Sequence, residues 1–130
     1  MAFPELTHVA LTTSDLGRSV PWYTALFGAE PVADVDTGTF RFVVWRQPSF
    51  GLHWFPDPAE GAFDERRPGL DHVAFGCTDR AEIESWEARL DELDVDHGDI
   101  LDEPYGSGLS FRDPDGIALE LFAPAPRRAR

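Results

Sequence analysis

Hydrophobic and polar positions change period several times along this chain. LTHVALTT (6–13) alternates and predicts a strand. After Asp15 the period lengthens: Leu16, Val20, Tyr23 and Phe27 fall on one helical face, and Gly28 is a stop signal. Pro21 should kink this helix or mark its true first turn. Short alternating segments near 32–36, at 39–45 (TFRFVVW) and at 51–55 (GLHWF) then predict three strands. The order recurs. LDHVAF (70–75) reads as a strand, and Asp79 with Glu82 makes a start resembling a capping box. Ile83, Trp86, Leu90 and Leu93 form a helical stripe. Strands follow near 99–102, at 108–111 and at 117–122, with the turn signal RDPDG between the last two.

The second half repeats the first. Shifted by 64 residues, Leu6, His8, Val9 and Ala10 fall on Leu70, His72, Val73 and Ala74. In the same shift Asp15, Trp22 and Leu26 fall on Asp79, Trp86 and Leu90. Later the register drifts, and RQPSFGLHWF (46–55) lies over RDPDGIALELF (112–122). Arg46, Pro48, Leu52 and Phe55 then match Arg112, Pro114, Leu119 and Phe122. Ordered matches from first strand to last mark two copies of one βαβββ module. The predicted class is α+β in a single domain, 1–130. Module one covers about 4–56, a linker 57–68, module two about 69–124 and a tail 125–130.

Strand alternation turns the repeat into chemistry. Leu52 and Trp54 share one face, and Gly51, His53 and Phe55 the other. Ile117, Leu119 and Leu121 oppose Ala118, Glu120 and Phe122. The helix must cover the more apolar face. The alignment therefore sets His53 against Glu120, and His8 against His72, on the uncovered face. Ala10, Ala74, Gly51 and Ala118 lie two residues from these four and leave room for a ligand. Three His and one Glu suit one divalent ion: Fe, Ni, Co, Mn or Zn. His97, in DVDHGD, has no repeat partner and reads as a solvated turn residue. Cys77 reads as a buried inert thiol.

Composition narrows the partners. The net charge of −13 disfavours nucleic acid and anionic membranes. Arg127, Arg128 and Arg130 form only a short basic tail. All 11 basic residues are Arg, which excludes Schiff-base and P-loop lysine chemistry. One cysteine excludes an intrachain disulfide and a multi-cysteine zinc site. No apolar run is long enough to span a bilayer, and no signal peptide is visible, so a cytoplasmic protein is expected.

HVALTTSDLGRSVPWYTALFG, LDHVAF and FRDPDGIALELF resemble the vicinal oxygen chelate superfamily, which includes glyoxalase I, extradiol dioxygenases, fosfomycin-resistance proteins and bleomycin-resistance proteins. The resemblance covers nearly the whole chain. It implies an incomplete barrel of two modules around one metal ion, with ligands His8, His53, His72 and Glu120. It also implies a homodimer, with the site within one chain or shared across a swapped interface. The implied function is a glyoxalase-type lyase or isomerase that chelates vicinal oxygens of a small substrate. Glu120 and His53 are the candidate catalytic residues. Bacterial-type glyoxalase I carries a carboxylate at both last-strand positions, and this chain has His at 53.

Two alternatives stand beside this reading. One is a mononuclear Fe(II) dioxygenase with a His8, His72 and Glu120 triad and His53 as acid–base. The other is a small-molecule binder or self-resistance protein without catalysis. Pocket walls are expected from Phe42, Trp45, Phe55, Tyr105, Phe111 and Phe122. PYGSG (104–108) reads as a rim over the site or as a turn before a strand. Arg41 reads as a carboxylate anchor or as an exposed strand residue.

Overall fold

A computed structural model describes residues 1–46 and 49–126. Pro48 and the arginines of the tail lie outside the described residues. Two compact units meet in sequence at Gly61, inside the expected linker.

The first unit is a four-stranded mixed sheet with one helix. Its strands are β1 (Val9–Thr12), β2 (Ala33–Asp36), β3 (Arg41–Trp45) and β4 (Phe50–Trp54), in the order β1-β4-β3-β2. Helix α1 (Leu16–Phe27) starts where the Asp15 carboxylate accepts the Arg18 N–H, and it ends at Gly28 in the left-handed conformation, φ 63°. Pro21 neither ends the helix nor opens it. It lies exposed inside the helix, where solvent can reach the carbonyl it leaves unpaired. The buried stripe is Leu16, Ser19, Tyr23 and Leu26 rather than one through Val20. Ser19 earns its buried place through a 2.7 Å hydrogen bond between its hydroxyl and that of Thr13. Tyr23 and Phe27 pack on Trp45 and Phe50, so the core face of this sheet carries Leu11, Val43, Trp45, Phe50 and Leu52.

The second unit repeats the plan. Its strands are β5 (Val73–Gly76), β6 (Leu101–Glu103), β7 (Gly106–Arg112) and β8 (Ala118–Pro124), in the order β5-β8-β7-β6. Helix α2 (Arg80–Glu92) opens with Asp79 accepting the Glu82 N–H, while the Glu82 carboxylate accepts the Thr78 N–H. The RDPDG turn closes on Asp113, whose Oδ1 accepts the N–H groups of Asp115 and Ile117. The core face carries Leu109, Phe111, Leu119 and Leu121 against Ile83 and Leu90. Each fully buried side chain of this kind contributes about 1.5–3 kcal/mol, so each unit has its own apolar core. Cys77 is buried, and that burial raises its thiol pKa, in keeping with an inert thiol.

Of the two readings of PYGSG, the structure shows the turn before a strand: it forms the β6–β7 turn and the start of β7, where Gly106 tucks under Phe122. A Cβ there would stand 2.5 Å from the ring. His97 is not a solvated turn residue. Its side chain is 15% exposed and joins the Asp91 carboxylate of α2 to the Gly98 carbonyl, each at 2.7 Å.

Both imidazole nitrogens of His97 face acceptors, so only the protonated ring satisfies both. The Gly98 carbonyl first, and then Asp91, raise its pKa above the ordinary histidine value, with Glu87 adding in the same direction. Its stabilisation is therefore complete below the unfolded-state pKa of about 6.5 and is lost as pH rises through the higher folded value. Melting curves of the parent and His97→Gln between pH 5 and 9 should converge as pH rises. A constant gap across that range would show that the ring contributes no such linkage.

Candidate functional site

The face of each sheet turned away from its helix carries the polar residues. In the first unit this face presents Ala10, Phe42, Val44, Gly51 and His53, with His8 just before β1. In the second it presents Ala74, Ser110, Glu120 and Phe122, with His72 just before β5.

Strand pairing determines which residues correspond, and it corrects the alignment of His53 with Glu120. Thr13 N–H donates to the His53 carbonyl at 2.8 Å. Its counterpart 64 residues on, Cys77, donates to the Phe122 carbonyl at 2.8 Å. Ala10 pairs with Gly51, and Ala74 pairs with Glu120. On the other flank, Val44 pairs with Gly51 and Ser110 with Glu120. His53 therefore corresponds to Phe122, and the counterpart of Glu120 is Gly51, which has no donor to offer. His53 stays on the open face, one strand repeat farther along.

His72 and Glu120 form a pair. His72 Nε2 stands 3.9 Å from Glu120 Oε2. Two donors on one ion at about 2.0–2.2 Å each lie roughly 3 Å apart, so a small side-chain rotation would let both bind it. The Asp71 carboxylate accepts from His72 Nδ1 at 2.7 Å, which places the proton on Nδ1 and leaves Nε2 as the donor. His8 has a similar arrangement: its Nδ1 shares a 2.8 Å hydrogen bond with the Thr7 hydroxyl. Thr7 and Asp71 were missed in the sequence, although both stand directly before the repeated histidines. Glu120 owes its room to Gly108, whose added Cβ would lie 3.4 Å from the carboxyl carbon. Among the described residues no three His, Cys, Asp or Glu side chains are grouped as an ion site.

The first unit has a hollow of about 520 Å³ on its open face, bordered by His8, Ala10, Phe40, Phe42, Val44, Gly51 and His53. Its wall is aromatic. The His53 ring stacks on Phe40 (5.1 Å, 13°) and on Phe42 (5.7 Å, 25°), and Phe55 borders Phe40 at 5.6 Å. Among the expected wall residues, Phe42 lines this hollow. Trp45 and Phe111 do not belong to an open face. Trp45 is 3% exposed and donates its indole N–H to the Ala29 carbonyl, and Phe111 is 4% exposed beside Leu119. Alternation assigns both to the core, since they share a face with Val43 and Leu109. Tyr105 is exposed on its turn and stacks on Phe122 at 6.3 Å. Arg41 is tied to the Asp34 carboxylate through two hydrogen bonds, of 2.8 and 2.6 Å.

Comparison with known proteins agrees with this architecture. The fold resembles that of the glyoxylase/bleomycin resistance protein/dioxygenase domain from Frankia sp. EAN1pec, with a TM-score of 0.86 at 30% identity, covering 98% of this chain and 96% of that one. Lactoylglutathione lyase from Agrobacterium tumefaciens shares the fold, with a TM-score of 0.66 at 24% identity over 92% of each chain. The uncharacterized protein YaeR of Escherichia coli (strain K12) is 27% identical over 129 residues, 94% of this chain and 98% of its own. The sequence profile of one family matches residues 5–121, from before the first repeated histidine to beyond Glu120. With the duplicated module and its two matching sheets, this places the chain in the Glyoxalase/Bleomycin resistance protein/Dioxygenase superfamily.

Proposed function

We propose that the protein is a metal-dependent enzyme that binds one divalent ion through His8, His72 and Glu120. We further propose that it uses His53 as an acid–base group. The observation that carries this reading is the strand register, which matches Glu120 with Gly51 rather than with His53. What joins His8 to the pair His72 and Glu120 is the repeat, since both histidines stand immediately before the first strand of a module. Two imidazoles and one carboxylate leave coordination positions open, a donor set suited to non-haem Fe(II) dioxygenase chemistry. Gly51, the counterpart of Glu120, has no side chain to serve as a fourth ligand, so the four-ligand lyase reading would have to draw on His53 from two residues farther along.

When bound, the ion supplies Lewis-acid stabilisation of negative charge developing on adjacent substrate oxygens. The rest falls to the chain. Asp71 holds His72 with Nε2 forward, and Thr7 steadies His8. Glu120 supplies the one formal negative charge of the set. The His53 ring is held by stacking against Phe40 and Phe42 and makes no side-chain hydrogen bond among the described residues, so a ring nitrogen is left to take a proton from substrate and return it. We also propose a homodimer, because β1 and β2 in one sheet and β5 and β6 in the other are edge strands that need cover. Among the described residues no helix is long and apolar enough to cross a membrane.

Calorimetric metal titration separates the roles. His8→Ala, His72→Ala and Glu120→Gln should each weaken binding by more than the ~10–100-fold that an outer partner costs. His53→Ala should bind the ion as the parent does and lose turnover by about 100- to 10,000-fold. Metal loss in His53→Ala would return the site to the four-ligand arrangement.

The residues behind the ligands are separately testable. Asp71→Asn should lower ion affinity roughly 10–100-fold, because an anionic acceptor is replaced by a neutral amide. Thr7→Val should cost less, since it removes only a neutral partner. Equal, negligible effects in both variants would show that these contacts do not orient the histidines.

A further inference from the structure

We infer that the substrate carries an uncharged planar ring, and that this ring is seated in the hollow of the first module on the bare strand floor at Gly51 and Ala10. This rests on the proposed metal-dependent reading and names the part of the substrate that does not touch the ion.

The two modules use the same places in opposite ways. In the second, β8 supplies the large side chains, Glu120 and Phe122, and β7 supplies small partners, Ser110 and Gly108. In the first, β4 supplies Gly51 where β8 has Glu120, and β3 supplies Val44 and Phe42 where β7 has Ser110 and Gly108. The volume a carboxylate fills in module two is thus open in module one and walled by apolar groups. The close packing of Gly51 maintains this. A Cβ there would lie 3.1 Å from the Val43 carbonyl oxygen and 3.5 Å from the Val44 side chain. Ala10, paired beside Gly51 on β1, extends the floor with only a methyl group.

The walls specify the occupant. At about 520 Å³ the hollow lies within the range of small-molecule sites. Phe40, Phe42 and the His53 ring offer π faces, which favour a flat ring over an aliphatic chain. Among the described residues that line it, none carries an Arg or an acidic group. Arg41, the neighbour of Phe42, is held by Asp34. A chain of net charge −13 adds a field that repels anions. Phosphate, nucleotide and carboxylate groups therefore find no guanidinium here, and His8, Ser49 and His53 are the polar side chains at the border of the hollow among the described residues.

Phenacyl alcohol and hydroxyacetone test the idea, because they carry the same adjacent oxygens with and without a ring. Benzoylformate adds a ring with a negative charge. Each is titrated by NMR into chelator-treated protein and into metal-loaded protein. On chelator-treated protein phenacyl alcohol should bind at least about 10-fold more tightly than hydroxyacetone or benzoylformate and shift the Ala10 methyl signal. Ala10→Leu, which fills the floor, should remove that preference while leaving ion affinity and the melting temperature unchanged. Equal binding of the ring and ring-free compounds, no binding of either, or an unchanged preference in Ala10→Leu would overturn the inference. The two readings fail separately. A protein that binds no ion but keeps the ring preference refutes the metal site and supports the ring seat. One that binds the ion without preferring the ring does the reverse.

Discussion

The site depends on one backbone constraint, the register of the last strand of each module against its first. A hydrogen bond from Thr13 N–H to the His53 carbonyl fixes it in one sheet, and one from Cys77 N–H to the Phe122 carbonyl fixes it in the other. Every correspondence between the modules follows from these two bonds. They place a carboxylate in one copy where the other has a glycine. They also set the third histidine of the open faces two residues beyond the place matched with Glu120, in an aromatic stack.

Duplication gives two copies of a frame, and divergence has made them complementary in content. Where β8 projects Glu120 and Phe122, β7 retreats to Gly108 and Gly106, and added Cβ atoms would press on both side chains. Where β4 retreats to Gly51, β3 projects Phe42 and Val44. Large against small on paired strands keeps both sheets packed while giving one a charged group and the other a hollow. Under the metal-dependent function proposed above, one half would carry the charge for a cation, and the other would offer an uncharged surface.

Much of the fold was legible in the sequence. The repeated LTHVAL and LDHVAF, the caps at Asp15, Asp79 and Gly28, and the RDPDG turn all encode local geometry, so the helices and strands fall close to where they were expected. The register of the last strands was not legible. A one-residue slip would have turned Leu52 or Leu119 to the wrong face and betrayed itself. A two-residue slip keeps every face and every apolar position, and the similar endings LHWF and LELF invited it. Only the strand pairings expose it. The core positions of Trp45 and Phe111 were legible from alternation with Val43 and Leu109, but aromatic character drew them into the expected pocket. The clamp on His97 was hidden because Asp91 is six residues away and meets it only after α2 ends. Thr7 and Asp71 were visible as letters, but their role appears only when each is seen on its neighbour's Nδ1.

The central claim is a ligand count, and X-ray absorption at the metal edge of the anaerobically loaded protein tests it most directly. The account predicts one divalent ion per chain, with outer-shell scattering from two imidazoles and the remaining ligands oxygen. Scattering from three imidazoles would contradict it, because His53 would then be a ligand and the register would not define the site.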